Sequence, residues 1–295
     1  MSVVSVIIVN FNAGDRLAAC VSAIPETPDR TEIIVVDNGS EDGSLDRLVT
    51  RCGNDKRVRV IRNHTNLGFS RACNIGTKAA SGDFMLYLNP DCRIEAKTIP
   101  SLRAVLERHP EAGMAGGRLL NPDGTEQAGS RRDFPGPWRS FVRLSGLYRF
   151  TNCCPSLFPD FSKHREAVPD AETEVEAVSG ACMMVPRKII DAVGGFDEGY
   201  FLHVEDLDWC MRIRRKGWAV FFVPQARVIH AKGGCSAGRP VFVEWHKHLG
   251  MTRFYWKFYR HRFGGLELPI ALAGVWGHFL LVAVSRFVKR ELPFH

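Results

Sequence analysis

Four short runs rich in β-branched and aromatic residues, each halting at a polar or glycine-containing loop, constrain this chain more than any other feature. They are Val3 to Val9, Glu32 to Val36, Val58 to Arg62 and Phe84 to Leu88. Between the first two, Leu17, Val21 and Ile24 recur at helical spacing; after the third, Ser70 reads as the N-cap of a helix running towards Ala80. Such alternation predicts a mostly parallel sheet flanked by helices. Ligands of open sheets of this kind sit outside the carboxyl ends of the strands. The segments to inspect are therefore Asn10-Phe11-Asn12, Asp37-Asn38-Gly39-Ser40, Asn63 to Phe69, and Asn89-Pro90-Asp91. Asp37 and Asp91 thus converge on one edge.

Beyond residue 118 the pattern weakens, and six prolines between Asn121 and Glu174 predict a loop-rich, substrate-specific stretch. Order returns with a strand-like Val175 to Val185, a short helix from Arg187, the turn Gly194-Gly195-Phe196-Asp197, and a charged helix from Glu205 to Lys216. Trp218 to Val223 and Arg227 to His230 read as further strands. The apolar start, without a basic leader or a small-residue cleavage site, reads as a buried strand and not as a signal peptide. Nine cysteines, among them the adjacent Cys153 and Cys154, form no Cys-x-x-Cys pairs and read as reduced thiols of a cytosolic protein. A formal net charge of +7 favours anionic partners: phosphorylated small molecules, nucleic acid or an anionic membrane face.

Asp91 follows an apolar strand and a stiffening proline. Asn-Pro-Asp is good turn chemistry in its own right, yet a hard oxygen donor at a strand end is also what a magnesium or manganese ion on a diphosphate requires. His230 ends a strand before Lys232-Gly233-Gly234 and can approach the same edge. Asp37 either closes an Asx-turn or accepts hydrogen bonds from a ribose or base. Arg71 is either a solvated helix charge or a contact for base and phosphates. Glu205, Asp206 and Asp208 cluster in the first turn of a helix, where the macrodipole favours acids. The apolar lead-in and the flat wall of Trp209 also suit a general base beside a sugar ring.

Together these motifs resemble the inverting family-two glycosyltransferases with the GT-A fold, and within them the rhamnosyltransferase-like branch. The resemblance rests on Val6-Ile7-Ile8-Val9-Asn10-Phe11-Asn12, Ile34-Val35-Val36-Asp37-Asn38-Gly39-Ser40, Asn66-Leu67-Gly68-Phe69-Ser70-Arg71-Ala72-Cys73-Asn74, Leu88-Asn89-Pro90-Asp91, and Gly195-Phe196-Asp197 followed by Glu205-Asp206-Leu207-Asp208. It spans residues 3 to 235. The fold it implies is α/β, a Rossmann-like nucleotide-diphospho-sugar transferase sheet with a C-terminal helical tail. The domain limits are 1–240, with a nucleotide half to about 118 and an acceptor half beyond it, then a tail of 241–295.

Carried over residue by residue, the resemblance implies that Asn10, Asp37, Asn66, Arg71 and Asn89 hold the nucleotide. Asp91 is the remaining carboxylate of a shortened Asp-x-Asp motif, His230 a late metal ligand, and Asp206 the catalytic base. Glu205, Trp209 and Arg131 would face acceptor or sugar, and the segment Gln127 to Trp138, containing Arg131-Arg132-Asp133-Phe134-Pro135, would face donor phosphates or acceptor. Asn89 departs from more distant members, which carry an aspartate there. The implied reaction is transfer of a sugar, rhamnose from dTDP-rhamnose or else a UDP-sugar, to a saccharide or polyprenyl-linked acceptor in cell-surface polysaccharide synthesis. It is assisted by Mg2+ or Mn2+, with inversion and with no nucleic acid. A nicotinamide oxidoreductase is disfavoured because strand one leads into Asn10-Phe11-Asn12-Ala13-Gly14 instead of Gly-x-Gly-x-x-Gly. Retention of Asp91 and Asp206 argues against a non-catalytic scaffold subunit.

In the tail, Arg253 to Phe263 interleaves aromatic and basic residues ahead of Leu268 to Ser285, which holds no Asp, Glu, Lys or Arg; Arg286, Lys289 and Arg290 follow. A full membrane span needs about 20 apolar residues. This shorter run, with Pro269 and His278 inside it, predicts peripheral attachment to the anionic inner face of the plasma membrane instead, or a core helix.

Overall fold

A computed structural model describes residues 2–26, 30–151, 153–231, 240–261 and 267–291. Two compact units are present, one of residues 1–133, 162–201 and 205–235, the other of residues 134–161, 202–204 and 236–295.

The first unit begins with β1 (Val3–Asn10), α1 (Asp15–Ser22), β2 (Arg30–Asp37), α2 (Ser44–Cys52), β3 (Val58–Arg62), α3 (Phe69–Ala79) and β4 (Phe84–Leu88). β1, β2, β3 and β4 pair in parallel, and Asn10 lies in register with Asp37 and Asp37 with Arg62, so the polar strand ends line up along one edge. The apolar alternation of β1 and β2 is buried on both faces, as a helix-covered parallel sheet requires. Next come β5 (Cys92–Ile94), α4 (Thr98–Arg108) and β6 (Ala112–Leu120). The small β7 (Arg131–Arg132) follows α4 and β6, and in the second unit so does α5 (Pro137–Leu144). β8 (Thr173–Val175), β9 (Ala177–Val178), β10 (Cys182–Pro186), α6 (Arg187–Val193), α7 (Glu205–Arg215) and β11 (Ala219–His230) complete the first unit. The main sheet runs β3-β2-β1-β4-β10-β6-β11-β5, with β8 beside β11; β7 and β9 form a separate pair.

Three expectations change in detail. Ser70 lies inside α3, whose N-cap is Gly68 at φ 85°. A Cβ there would come within 2.8 Å of Phe201, so a glycine takes the position that a serine was expected to cap. The run from Val175 to Val185 is three strands, because the chain leaves the β7–β9 pair at Ser179-Gly180 before joining the main sheet as β10. Trp218 to Val223 and Arg227 to His230 form one strand, β11, whose register against β6 shifts between Val223 and Arg227 around Pro224. No disulfide joins the eight described cysteines, and Cys153 and Cys154 are the exposed pair among them.

The second unit holds α5, a 3-10 turn at Leu147–Phe150, α8 (Pro240–Tyr259) and α9 (Glu267–Glu291). α8 and α9 pack through Trp245 against Trp276 and Phe279, and His248 Nε2 meets His278 Nδ1 at 3.0 Å. The one imidazole in the apolar run is thus satisfied inside the hairpin. Over Leu268–Ser285 only 11% is buried within the molecule. Lys232-Gly233-Gly234, Arg262 and Phe263, and the side chains of Arg286, Lys289 and Arg290, lie outside what is described.

Candidate active site

At the strand edge, Asn10 is fully buried and its Nδ2 donates to Asp37 Oδ1 at 2.7 Å, Ser44 Oγ at 2.9 Å and Ser40 Oγ at 3.0 Å. Asp37 Oδ2 accepts from the Ser40 amide three residues on, one residue beyond the Asx-turn that the sequence allowed, with Gly39 at φ 73° between them. Asn63 donates to Asn38 Oδ1, and Asn38 in turn donates to the Gly68 carbonyl and to Asn66 Oδ1. Asparagines on two adjacent loops therefore fix one another and the start of α3. Arg71, on the first turn of that helix, is 57% exposed and only 3.8 Å from Glu198, so an anion can recruit it at little cost.

Asp91 and His230 meet where β5 pairs with β11. His230 Nε2 lies 3.2 Å from Asp91 Oδ1, and both side chains are largely buried. Gln127 sets the imidazole: its Nε2 donates to the His230 carbonyl and to Asn121 Oδ1, which leaves Oε1 to accept from His230 Nδ1 at 2.6 Å. With Nδ1 carrying a proton, Nε2 and the carboxylate oxygen would confront each other as two acceptors unless a cation, proton or metal, lies between them. That donor set, imidazole nitrogen plus carboxylate oxygen with an oriented outer nitrogen, fits a divalent ion. Cys92 shares the cluster geometrically, its Sγ within 4.8 Å of the same atoms. Burial, and then its cysteine and aspartate neighbours, push that thiol well above its ordinary value, and its sulfur points to the Ala181 carbonyl at 3.5 Å. Asp91 and His230 are the pair suited to hard ions.

At the start of α7, Glu205, Asp206 and Asp208 are all buried. Acids that merely favour a helix N-terminus are solvated, so burial of three together sets this turn apart. Asp208 is committed to Arg212 at 2.6 Å and to the Tyr200 hydroxyl. Asp206 Oδ2 accepts from the Gly180 amide at 3.0 Å and pairs with Arg132; Oδ1 accepts from the Leu207 amide. A Cβ on Gly180 would lie 3.3 Å from that of Asp206, so the close approach of backbone to carboxylate leaves little room for a side chain there. The chain enters α7 through His203 and Val204, both at positive φ, a conformation costly for a β-branched residue and common where a site over-determines the backbone.

The two centres are joined by a short backbone path. Gly180 holds Asp206, while the next carbonyl, Ala181, accepts from the Asn89 amide and from Cys92 Sγ, on either side of Asp91. Two of the expected contacts lie elsewhere. Trp209 is fully buried against Tyr87 and Phe196, and its Nε1 donates to the Gly194 carbonyl, so it offers no face to a sugar. Arg131 is buried in an ion pair with Glu126 and donates to the Glu166 and Ala167 carbonyls. Its neighbour Arg132 is the one that reaches the candidate base. Gln127 and Arg132 were expected only as members of the segment Gln127 to Trp138, without these contacts, and Gly180 was not expected at the site.

Burial, and then the charge of adjacent Asp206, pushes Glu205 from its ordinary 4.5 up to about 8, and its Oε2 has no hydrogen-bond partner among the described residues. The folded protein therefore keeps a proton that the unfolded chain has released once the pH passes 4.5. Folding takes up that proton between about pH 4.5 and 8, so stability falls as pH rises through this window. Glu205→Gln removes the dependence. Its melting temperature is expected to exceed that of wild type by several degrees at pH 8, with the gap closing towards pH 5. A gap that widens towards acid would contradict the assignment.

Residues 5–193 match the model of glycosyl transferase family 2, and residues 148–288 that of glycosyl transferase family group 2. The chain is 32% identical over 252 residues, 80% of its length and 78% of the relative's, to an N-acetylglucosaminyl-diphospho-decaprenol L-rhamnosyltransferase of Mycobacterium tuberculosis. It is 26% identical over 72% of its length to the low-salt glycan biosynthesis hexosyltransferase Agl10 of Haloferax volcanii, covering 62% of that protein. In fold it is similar to the mannosyltransferase PcManGT of Pyrobaculum calidifontis, solved with GDP-Man and Mn2+ (TM-score 0.57, 15% identity, 96% of this chain and 75% of that one). GalNAc-T7, solved with UDP, GalNAc and Mn2+, aligns with a TM-score of 0.57 at 19% identity, over 78% of this chain and 44% of that one. A GT-A sheet, buried acids at its ligand edge and a family match across most of the sheet lead to one conclusion: the chain belongs to glycosyl transferase family 2 and is a glycosyltransferase.

Proposed function

We propose that the chain transfers rhamnose from dTDP-rhamnose to a lipid-linked saccharide in cell-surface polysaccharide synthesis, with inversion at the anomeric carbon. The observation that carries the reading is the junction at Gly180-Ala181, which ties the Asp206 carboxylate to the Asp91 loop through one peptide. A base for the acceptor hydroxyl is thereby held next to the pair suited to a diphosphate-bound ion. The choice of rhamnose and of a polyprenyl-linked acceptor comes from the mycobacterial relative's name.

In this reading Asp37 and the asparagine loops bind the nucleoside, Arg71 meets phosphate, and Asp91 with His230 holds Mg2+ or Mn2+. Such an ion, when bound, neutralises charge growing on the departing diphosphate. Asp206 takes the proton of the acceptor hydroxyl as that oxygen bonds to the anomeric carbon and the carbon's bond to the diphosphate oxygen breaks. Arg132 lies beside the base, placed to orient its carboxylate. α9, apolar and largely uncovered over 18 residues, supports peripheral attachment at the inner face of the plasma membrane, where a lipid-linked acceptor resides.

The test is a thermal-shift panel of dTDP- and UDP-sugars with and without manganese. A ligand bound only by the folded state raises the melting temperature by mass action, about 2.7 kcal/mol of stabilisation at a hundred times its dissociation constant. dTDP-rhamnose is expected to give the largest manganese-dependent shift. A larger shift from a UDP-sugar would replace the donor, and no shift from any would remove the reading.

A further inference from the structure

α5 carries apolar side chains on both its inner and its outer side. Its inner side is apolar, with Val142 fully buried and Ser140 Oγ accepting from the Tyr255 hydroxyl of α8 at 2.6 Å. Its outer side is apolar too: Trp138, Phe141 and Leu144 follow one another at three-residue spacing, and with Phe150 and Leu157 in the turn beyond they are each between 45% and 55% exposed. Trp138 and Phe141 stack at 5.5 Å, and Trp138 Nε1 donates to the Leu157 carbonyl, so the patch is a fixed surface and not a scatter of side chains. A contiguous exposed apolar face of this kind marks an interaction site.

The charge pattern identifies the occupant. From Phe134 to Pro159 the sequence holds Arg139, Arg143 and Arg149 and no Asp or Glu. Arg149 is exposed, whereas Arg143 turns inward to Asp160 and lies over the Tyr148 ring at 4.5 Å. Aromatic and leucine side chains flanked by arginine, without acids, suit the headgroup layer of an anionic bilayer, where rings sit at the interface and each cation near the surface gains from lipid charge.

We propose that α5 and the turn after it form a membrane-docking surface that extends that of α9, against which α5 packs, and whose ligand is an anionic phospholipid interface. The proposal goes beyond α9's attachment and does not depend on which sugar is transferred. A segment that sequence alone marks as a substrate-specific loop region would then be a lipid contact.

Flotation of the full chain with vesicles of phosphatidylcholine alone, or mixed with phosphatidylglycerol, tests it. Trp138→Ser/Phe141→Ser/Leu144→Ser is expected to lower partition onto the mixed vesicles at least about tenfold at an unchanged melting temperature, with Leu280 and Leu281 on α9 intact. Arg149→Glu, a single exposed change that leaves packing intact, is expected to lower the preference for phosphatidylglycerol by about three-fold or more, and stands as the test if the triple variant misfolds. Partition unchanged in both the triple variant and Arg149→Glu would overturn the proposal. So would loss of a dimer in the triple variant without loss of vesicle binding, which would make the face a contact between copies of the chain.

Discussion

Asp206→Asn is expected to lose about 10² to 10⁴-fold in turnover, the range for removing a general base, while binding the nucleotide-sugar as tightly as wild type. The separation of effects follows from position. Asp206 begins α7 and touches Gly180, Leu207 and Arg132, whereas the donor loops at Asn10, Asp37, Asn38, Asn63 and Asn66 hold one another without it. Asparagine keeps the shape and one acceptor, but it sets an NH2 against either the Leu207 amide or the Gly180 amide and Arg132 together, and it cannot take a proton. Some stability is lost with the ion pair, so donor affinity and melting temperature are measured beside kcat. Near wild-type transfer by a folded Asp206→Asn would require another base.

The second large effect is at the proposed metal pair, Asp91 and His230. Asp91→Ala is expected to cost at least about a hundred-fold in kcat/KM, to weaken donor binding and to abolish stimulation by manganese or magnesium. His230→Ala does the same less severely, because an imidazole contributes no formal charge to holding the ion. Manganese binding by the variant, read by calorimetry without any substrate, separates loss of the ion from loss of catalysis. Full wild-type activity in excess chelator would remove the ion from the account.

The sheet was legible because buried parallel strands write themselves as β-branched runs, and the strand ends carry the polar residues that a ligand edge needs. Asp91, His230 and Asp206 stand out for the same reason: each follows or opens an element at that edge. The choice between Arg131 and Arg132 was not legible. Successive residues of a strand face opposite sides, so one guanidinium enters the interior with Glu126 and the other reaches Asp206, and a two-residue strand gives no pattern to say which. Trp209 was misplaced because an aromatic three residues after a carboxylate shares its helical face equally well in a sugar site and in a core. Gly180 left no signal, since its role is to have no side chain beneath a carboxylate that arrives from 26 residues away. α5 was hidden because Pro137, read as a breaker, instead opens the helix, where its missing N–H costs nothing.

The most direct measurement of the central claim is the product of the wild-type chain given dTDP-rhamnose, manganese and an N-acetylglucosaminyl-diphospho-polyprenol. The account predicts one rhamnose added per acceptor, with release of the nucleoside diphosphate and an anomeric configuration opposite to that of the donor, read by nuclear magnetic resonance. A product that retains the donor's configuration, or hydrolysis of the donor with no transfer to the acceptor, would contradict it.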